Sequence, residues 1–77
     1  MLSEIEYLHK KMTFDDEIVI WTVNNDLEFI IRKNDIIKET GSINDLIKVL
    51  KAKPSGEIVI IDTDAIIAIK LREKVVY

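Results

Sequence analysis

The sequence predicts a small α+β domain in which an αββ unit is written twice. This αββαββ pseudo-repeat would fold as a four-stranded antiparallel sheet with two short helices on one face. Three observations carry that prediction. Capping residues open a helix at Ser3 and again at Ser42, and a β-branched hairpin comes after each helix. The strand opening Glu17-Ile18-Val19-Ile20 also reappears, forty residues on, as Glu57-Ile58-Val59-Ile60. Sequential antiparallel strands with helices laid on one face are the ordinary way to bury such elements.

The first helix is signalled by Ser3-Glu4-Ile5-Glu6, a capping box in which Ser3 and Glu6 satisfy each other's exposed amides. Leu2 and Tyr7 are spaced as a hydrophobic staple around it. Ile5, Leu8 and Met12 recur at helical intervals, and Lys10-Lys11 suit the negative end of the dipole, which predicts a helix over about residues 4–12.

Residues 17–23 and 27–33 are rich in β-branched and aromatic side chains and flank Asn24-Asn25, which suit a tight turn. With that loop, Ile20 faces Phe29, Ile18 faces Ile31 and Thr22 faces Leu27 on one side. Trp21 with Glu28, Val19 with Ile30, and Glu17 with Arg32 share the other side. Apolar meets apolar and acid meets base, and a one-residue slip would scramble both faces.

Residues 34–42 read as a connector, with a short strand at Ile36-Ile37. Ser42 then caps a second helix whose apolar stripe is Ile43, Leu46, Ile47 and Leu50. It stops by Lys53, because Pro54 disfavours helical geometry before it and Gly56 breaks any helix beyond it. Residues 57–61 and 66–71 form the closing hairpin, with Ile61 opposite Ile66, Ile60 opposite Ile67, Ile58 opposite Ile69 and Glu57 opposite Lys70. A loop at Thr63-Asp64 gives this register, although β-branched Thr63 resists the positive φ of a two-residue turn and a longer turn is the alternative there.

Two helices cover one face of such a sheet and leave Val19, Trp21, Val23, Ile30, Val59, Ile61, Ile66 and Ala68 pointing the other way. An exposed apolar patch of that kind marks an interaction site. The expected interface residues are Val19, Trp21, Ile30, Val59, Ile61 and Ile66, with a second copy of the chain covering them and a dimer favoured. In a domain this small, oligomerisation completes a core.

Composition narrows the class. The 77 residues, 1–77, fit one domain, and 48 % hydrophobic residues supply enough apolar surface for a folded core. There is no Cys to form a disulfide or a thiolate metal site. The net charge of −3 argues against nucleic-acid binding driven by backbone phosphates. No apolar run approaches the 18 or so residues of a membrane span, and the N-terminus is acidic where a secretion signal is basic. The expectation is a cytoplasmic domain without membrane contact. Fifteen Ile, and Lys at nine of 11 basic positions, have A/T-rich codons and suggest a bacterium or phage as source.

Nothing in the chain reads as catalytic, and no cofactor or metal is expected. His9 is the one histidine and reads as an exposed helix residue. Asp62-Thr63-Asp64 and Asp15-Asp16-Glu17 cluster carboxylates, but Ala65-Ile66-Ile67 supplies none of the further ligands of a calcium loop, so turn-forming Asp is the reading. Ser3 and Ser42 serve as caps, and Ser55 has no base beside it. Gly41 and Gly56 stand apart and form no phosphate loop. Trp21 reads as core or interface. Lys48, Lys51 and Lys53, approached by Lys33 and Lys38, are the candidate nucleic-acid contacts, against the ordinary reading of a solvated helix face.

The alternative fold is an SH3/Sm-like small barrel with an N-terminal helix. A helix, bent strands and a closing strand–short turn–strand are the element order of the Sm-like family. Glu57 to Lys70 (Glu-Ile-Val-Ile-Ile-Asp-Thr-Asp-Ala-Ile-Ile-Ala-Ile-Lys) resembles that family's closing motif. The resemblance implies a barrel that binds single-stranded RNA. The family's Arg-Gly at the turn is Asp62-Thr63 here, its glycine after the first strand is Asn24-Asn25, and a helix interrupts the middle. The functional expectation is therefore a non-enzymatic, acidic interaction or regulatory module that self-associates and binds a protein partner. The Sm-like RNA-binding barrel is the alternative.

Overall fold

The structure, a computed structural model, describes residues 2–23, 25–40, 46–52 and 56–73. It is a mixed fold of one α-helix and two three-stranded antiparallel sheets among the described residues. Helix α1 (Leu2–Lys11) begins ahead of Ser3, so Ser3 lies inside the helix and not at its cap. Ile5 and Met12 are buried in the core, with Leu8 packed beside them, as the helical spacing requires. At the other end Lys33 donates to the carbonyls of His9 (2.8 Å) and Lys10 (3.2 Å), which lack partners within the helix.

A turn closed by Asp16 leads into the first sheet: Thr13 N–H donates to its carboxylate at 2.8 Å, and Asp16 N–H donates to Thr13 C=O at 3.1 Å. Strand β1 (Glu17–Thr22) pairs with β2 (Asn25–Arg32) on one side. The expected register holds over Glu17↔Arg32, Ile18↔Ile31, Val19↔Ile30 and Ile20↔Phe29. Beyond Ile20 it shifts, and Thr22 meets Asn25 in place of Leu27. Of the expected turn residues, Asn24 lies outside the described residues.

The second half of the chain departs from the expected repeat. Residues Leu46–Leu50, expected in a second helix, are a strand; Ile43 and Ser42 lie outside the described residues. The sheet is β3 (Ile36–Glu39), β4 (Leu46–Leu50) and β5 (Ile58–Asp62), in that order. Leu46, Ile47 and Leu50 fit a helical stripe, but Ile47 and Val49 also alternate with Leu46, Lys48 and Leu50 at the period of a strand. Pairing on both sides, with Ile47 and Val49 buried, decides between the two.

Consequently β5 and the last strand β6 (Ile66–Arg72) do not form a hairpin with each other. None of the pairs Ile61–Ile66, Ile60–Ile67, Ile58–Ile69 or Glu57–Lys70 is made. Instead β5 pairs with β4, and β6 crosses to the first sheet and pairs with β1. The switch is made by a single 3₁₀ turn over Thr63–Ala65, whose N-cap Asp62 accepts from Asp64 N–H at 2.9 Å. Such a turn needs no positive φ, which suits Thr63. Val23 N–H donates to Ala65 C=O at 2.9 Å and ties the β1–β2 turn to this corner.

The two sheets face one another across a common core. Ile18, Ile20, Ile31 and Ile66 come from the first sheet, Ile47, Val49 and Ile61 from the second, and Ile5 and Met12 from the helix end. Gly56, just before β5, adopts φ +57°, with open space where a Cβ would sit. Gly56→Ala is expected to cost about 1 kcal/mol through backbone strain alone, read as a lower urea midpoint with an unchanged m-value.

Candidate functional site

Because Ile47, Val49 and Ile61 point inward, their neighbours on β4 and β5 point out. The outer face of this sheet carries two rows across its strands. One row is Ile36, Leu50 and Ile58, and the other is Lys38, Lys48 and Ile60. Ile36, Ile58 and Ile60 are 51 %, 56 % and 58 % exposed, and Leu50 is half-buried between Ile36 and Ile58. This is an apolar surface with two lysines, at the edge strand of a sheet.

The expected interface residues are distributed differently. Ile61 and Ile66 belong to the core, Val19 is fully buried in β1, and Val59 is half-buried against the core. Trp21 and Ile30 are half-buried on the first sheet. The set therefore does not form one exposed face. The exposed isoleucines of the second sheet are instead Ile36, Ile58 and Ile60, and a second helix at Leu46–Leu50 would hide them by reversing the two sides of β5. The alternation through Ile47, Lys48 and Val49 is the signal that finds them.

The expected basic patch is also divided. Lys51 is held inside: its ammonium donates to the Asp35 carboxylate at 2.7 Å and to Ile30 C=O. Lys33 caps α1, and Lys53 lies outside the described residues. Lys48 remains on the outer face, opposite Lys38.

Asp35 is the hub that positions this surface. It is 3 % exposed, and besides Lys51 it accepts Arg32 N–H at 2.8 Å and Ala52 N–H at 2.7 Å. It thereby joins the end of β2, the start of β3 and the end of β4. Burial works to raise its pKa, yet the Arg32 N–H, the Lys51 ammonium and the Ala52 N–H outweigh burial and hold it below the usual value.

A second ionic cluster crosses the first sheet. Glu17 accepts from Arg72 at 2.6 Å and is paired with Arg32, also at 2.6 Å, its two cross-strand neighbours. The Arg72 hydrogen bonds first, then the charge of Arg32, outweigh partial burial and lower the Glu17 pKa. Both arginines are well exposed, so the contribution is small. Glu17→Gln is expected to lower the thermal midpoint slightly at low ionic strength and by less in about 1 M salt, where the screening length falls to about 3 Å.

Two concavities are lined by described residues. A groove of about 540 Å³ runs between α1 and β3, lined by Tyr7, His9, Ile36 and Ile37 among others. His9 is half-buried here, not exposed as expected, and its Nε2 has no hydrogen-bond partner among the described residues. A cleft of about 310 Å³ lies between β2 and the inner side of β4 and β5, beside Lys51. Among the described residues no three His, Asp or Glu gather as metal ligands, and no helix is long and apolar enough to cross a membrane. Compared with known proteins, the chain matches no family model, no curated protein and no solved structure.

Proposed function

We propose that this protein is a non-enzymatic interaction module that self-associates through the outer face of the β3-β4-β5 sheet, with regulation of a larger protein partner as its role. The observation that carries this reading is the row Ile36, Leu50 and Ile58 beside Ile60, more than half exposed at three positions on one sheet. Contiguous apolar surface on a small domain is covered by a partner, and its main-chain edge offers the same partner a strand to pair with. The double variant Ile58→Lys/Ile60→Lys tests it by light scattering behind size exclusion. The expected result is a fall to the single-chain mass of 8.9 kDa with unchanged circular dichroism. A mass equal to that of the parent protein overturns the reading.

A second reading is supported by the path of the chain. A helix, two sheets of strand order β2-β1-β6 and β3-β4-β5, and a 3₁₀ turn before the last strand are similar to an SH3/Sm-like small barrel. On that reading Lys38 and Lys48 are the lysines placed to meet single-stranded RNA. Binding would be salt-sensitive and weakened by Lys38→Glu and Lys48→Glu. Absence of binding to short single-stranded RNA at low salt removes it.

A further inference from the structure

Among the described residues the two sheets have four edges, and three of them are guarded. Along β2, Ile30 C=O is engaged by the Lys51 ammonium and Arg32 N–H by the Asp35 carboxylate. Strand β3 has only four residues and carries Lys38 and Glu39; β6 carries Lys70 and Arg72 in its second half, and its first half is broken by the register shift between Ala68 and Ile66. Short length and charged side chains are what keep an edge from pairing with another chain. Strand β5, Ile58-Val59-Ile60-Ile61-Asp62, has no Lys, no Pro and no charge before its last residue, and its register with β4 is unbroken.

The main chain of β5 is oriented for pairing. Lys51 N–H donates to Glu57 C=O at 2.8 Å, so the backbone groups of Glu57 face β4. Alternation along the strand turns those of Val59 and Ile61 the same way, and those of Ile58 and Ile60 toward the free edge. Ile58 and Ile60 are also the residues whose side chains stand exposed on the outer face.

We infer that β5 pairs antiparallel with β5 of a second copy about a two-fold axis at Val59, joining the two β3-β4-β5 sheets into one of six strands. This deepens the self-association reading and rests on it. A two-fold contact must be self-complementary, and the sequence of β5 selects the register. Centred on Val59, Ile58 lies opposite the second copy's Ile60 on the outer face, and the reverse. Centred on Ile60, each Ile58 would face an Asp62 carboxylate. A head-to-tail contact with β6 would set Lys70 and Arg72 beside the isoleucines. The Val59 register matches apolar to apolar over Ile58, Val59 and Ile60, leaves Glu57 ahead of the strand opposite Ile61, exchanges main-chain bonds between Ile58 and Ile60, and extends the Ile36–Leu50–Ile58 row into the second copy.

The chain contains no cysteine, so single cysteines report the register directly. Directly opposed residues of a hydrogen-bonded pair have Cα atoms about 5.5 Å apart, within the roughly 4.4–6.8 Å span of a disulfide. Diagonal neighbours stand about 7–8 Å apart, outside it. Ile58→Cys and Ile60→Cys are prepared separately, mixed, and oxidised. The mixture is expected to give several-fold more disulfide-linked dimer than either variant alone. Cross-linking of Ile60→Cys with itself, at the level of the mixture, overturns the Val59 axis. No cross-link in the mixture, with a solution mass above one chain, overturns β5 pairing and leaves self-association standing through another surface. A single-chain mass at every concentration overturns both.

Discussion

Asp35→Ala is expected to lower the unfolding free energy by about 3–5 kcal/mol, the loss typical of breaking a buried pair and leaving its partner uncompensated. Asp35 is 3 % exposed and accepts three donors, from Arg32, Lys51 and Ala52. Without it, the Lys51 ammonium keeps only Ile30 C=O among the described residues, and two main-chain N–H groups lose their acceptor. For a domain of 77 residues the total stability is about 4–12 kcal/mol, so one side chain accounts for a large share. Urea denaturation followed by Trp21 fluorescence measures it. A loss below about 1 kcal/mol, the level of an exposed pair, would contradict the buried geometry. The same site sets the acid limit. Its pKa is lower folded than unfolded, so its contribution is complete above the ordinary carboxylate value of about 3.9 and is lost as pH falls through the folded value. Asp35→Asn is expected to flatten that part of the acid unfolding curve.

Ile61→Asp is expected to unfold the chain, whereas Ile60→Asp leaves it folded and removes self-association. The two residues are neighbours on β5, but Ile61 is 3 % exposed in the shared core and Ile60 is 58 % exposed on the outer face. An unpaired carboxylate at Ile61 would be buried without a donor, at a cost of several kcal/mol. At Ile60 it stays in water. Circular dichroism and thermal melting of the two variants provide the comparison. Equal stability of both would contradict the inward and outward assignment of β5.

The first hairpin is legible in the sequence because three kinds of information agree. The strand residues are β-branched, Asn24-Asn25 punctuates them, and only one register pairs Glu17 with Arg32 while matching Ile18 to Ile31 and Ile20 to Phe29. The shift beyond Ile20 is not legible, since it depends on how Val23 and Thr22 meet the 3₁₀ corner and β6. The second half is ambiguous at Leu46–Leu50, where five residues satisfy both a helical and a strand period. Contacts distant in sequence decide such a segment. A helix placed there leaves the last two strands to pair with each other and turns the outward side of β5 inward. That single step hides Ile58 and Ile60. Asp35 is invisible for a different reason: its three partners come from residues 32, 51 and 52, which only the folded chain brings together.

The central claim, self-association through an apolar sheet face, is tested most directly by the mass of the unmodified chain over a wide concentration range. Light scattering behind size exclusion is expected to give at least twice 8.9 kDa at high concentration, falling toward 8.9 kDa on dilution. A mass of one chain at all concentrations would contradict it.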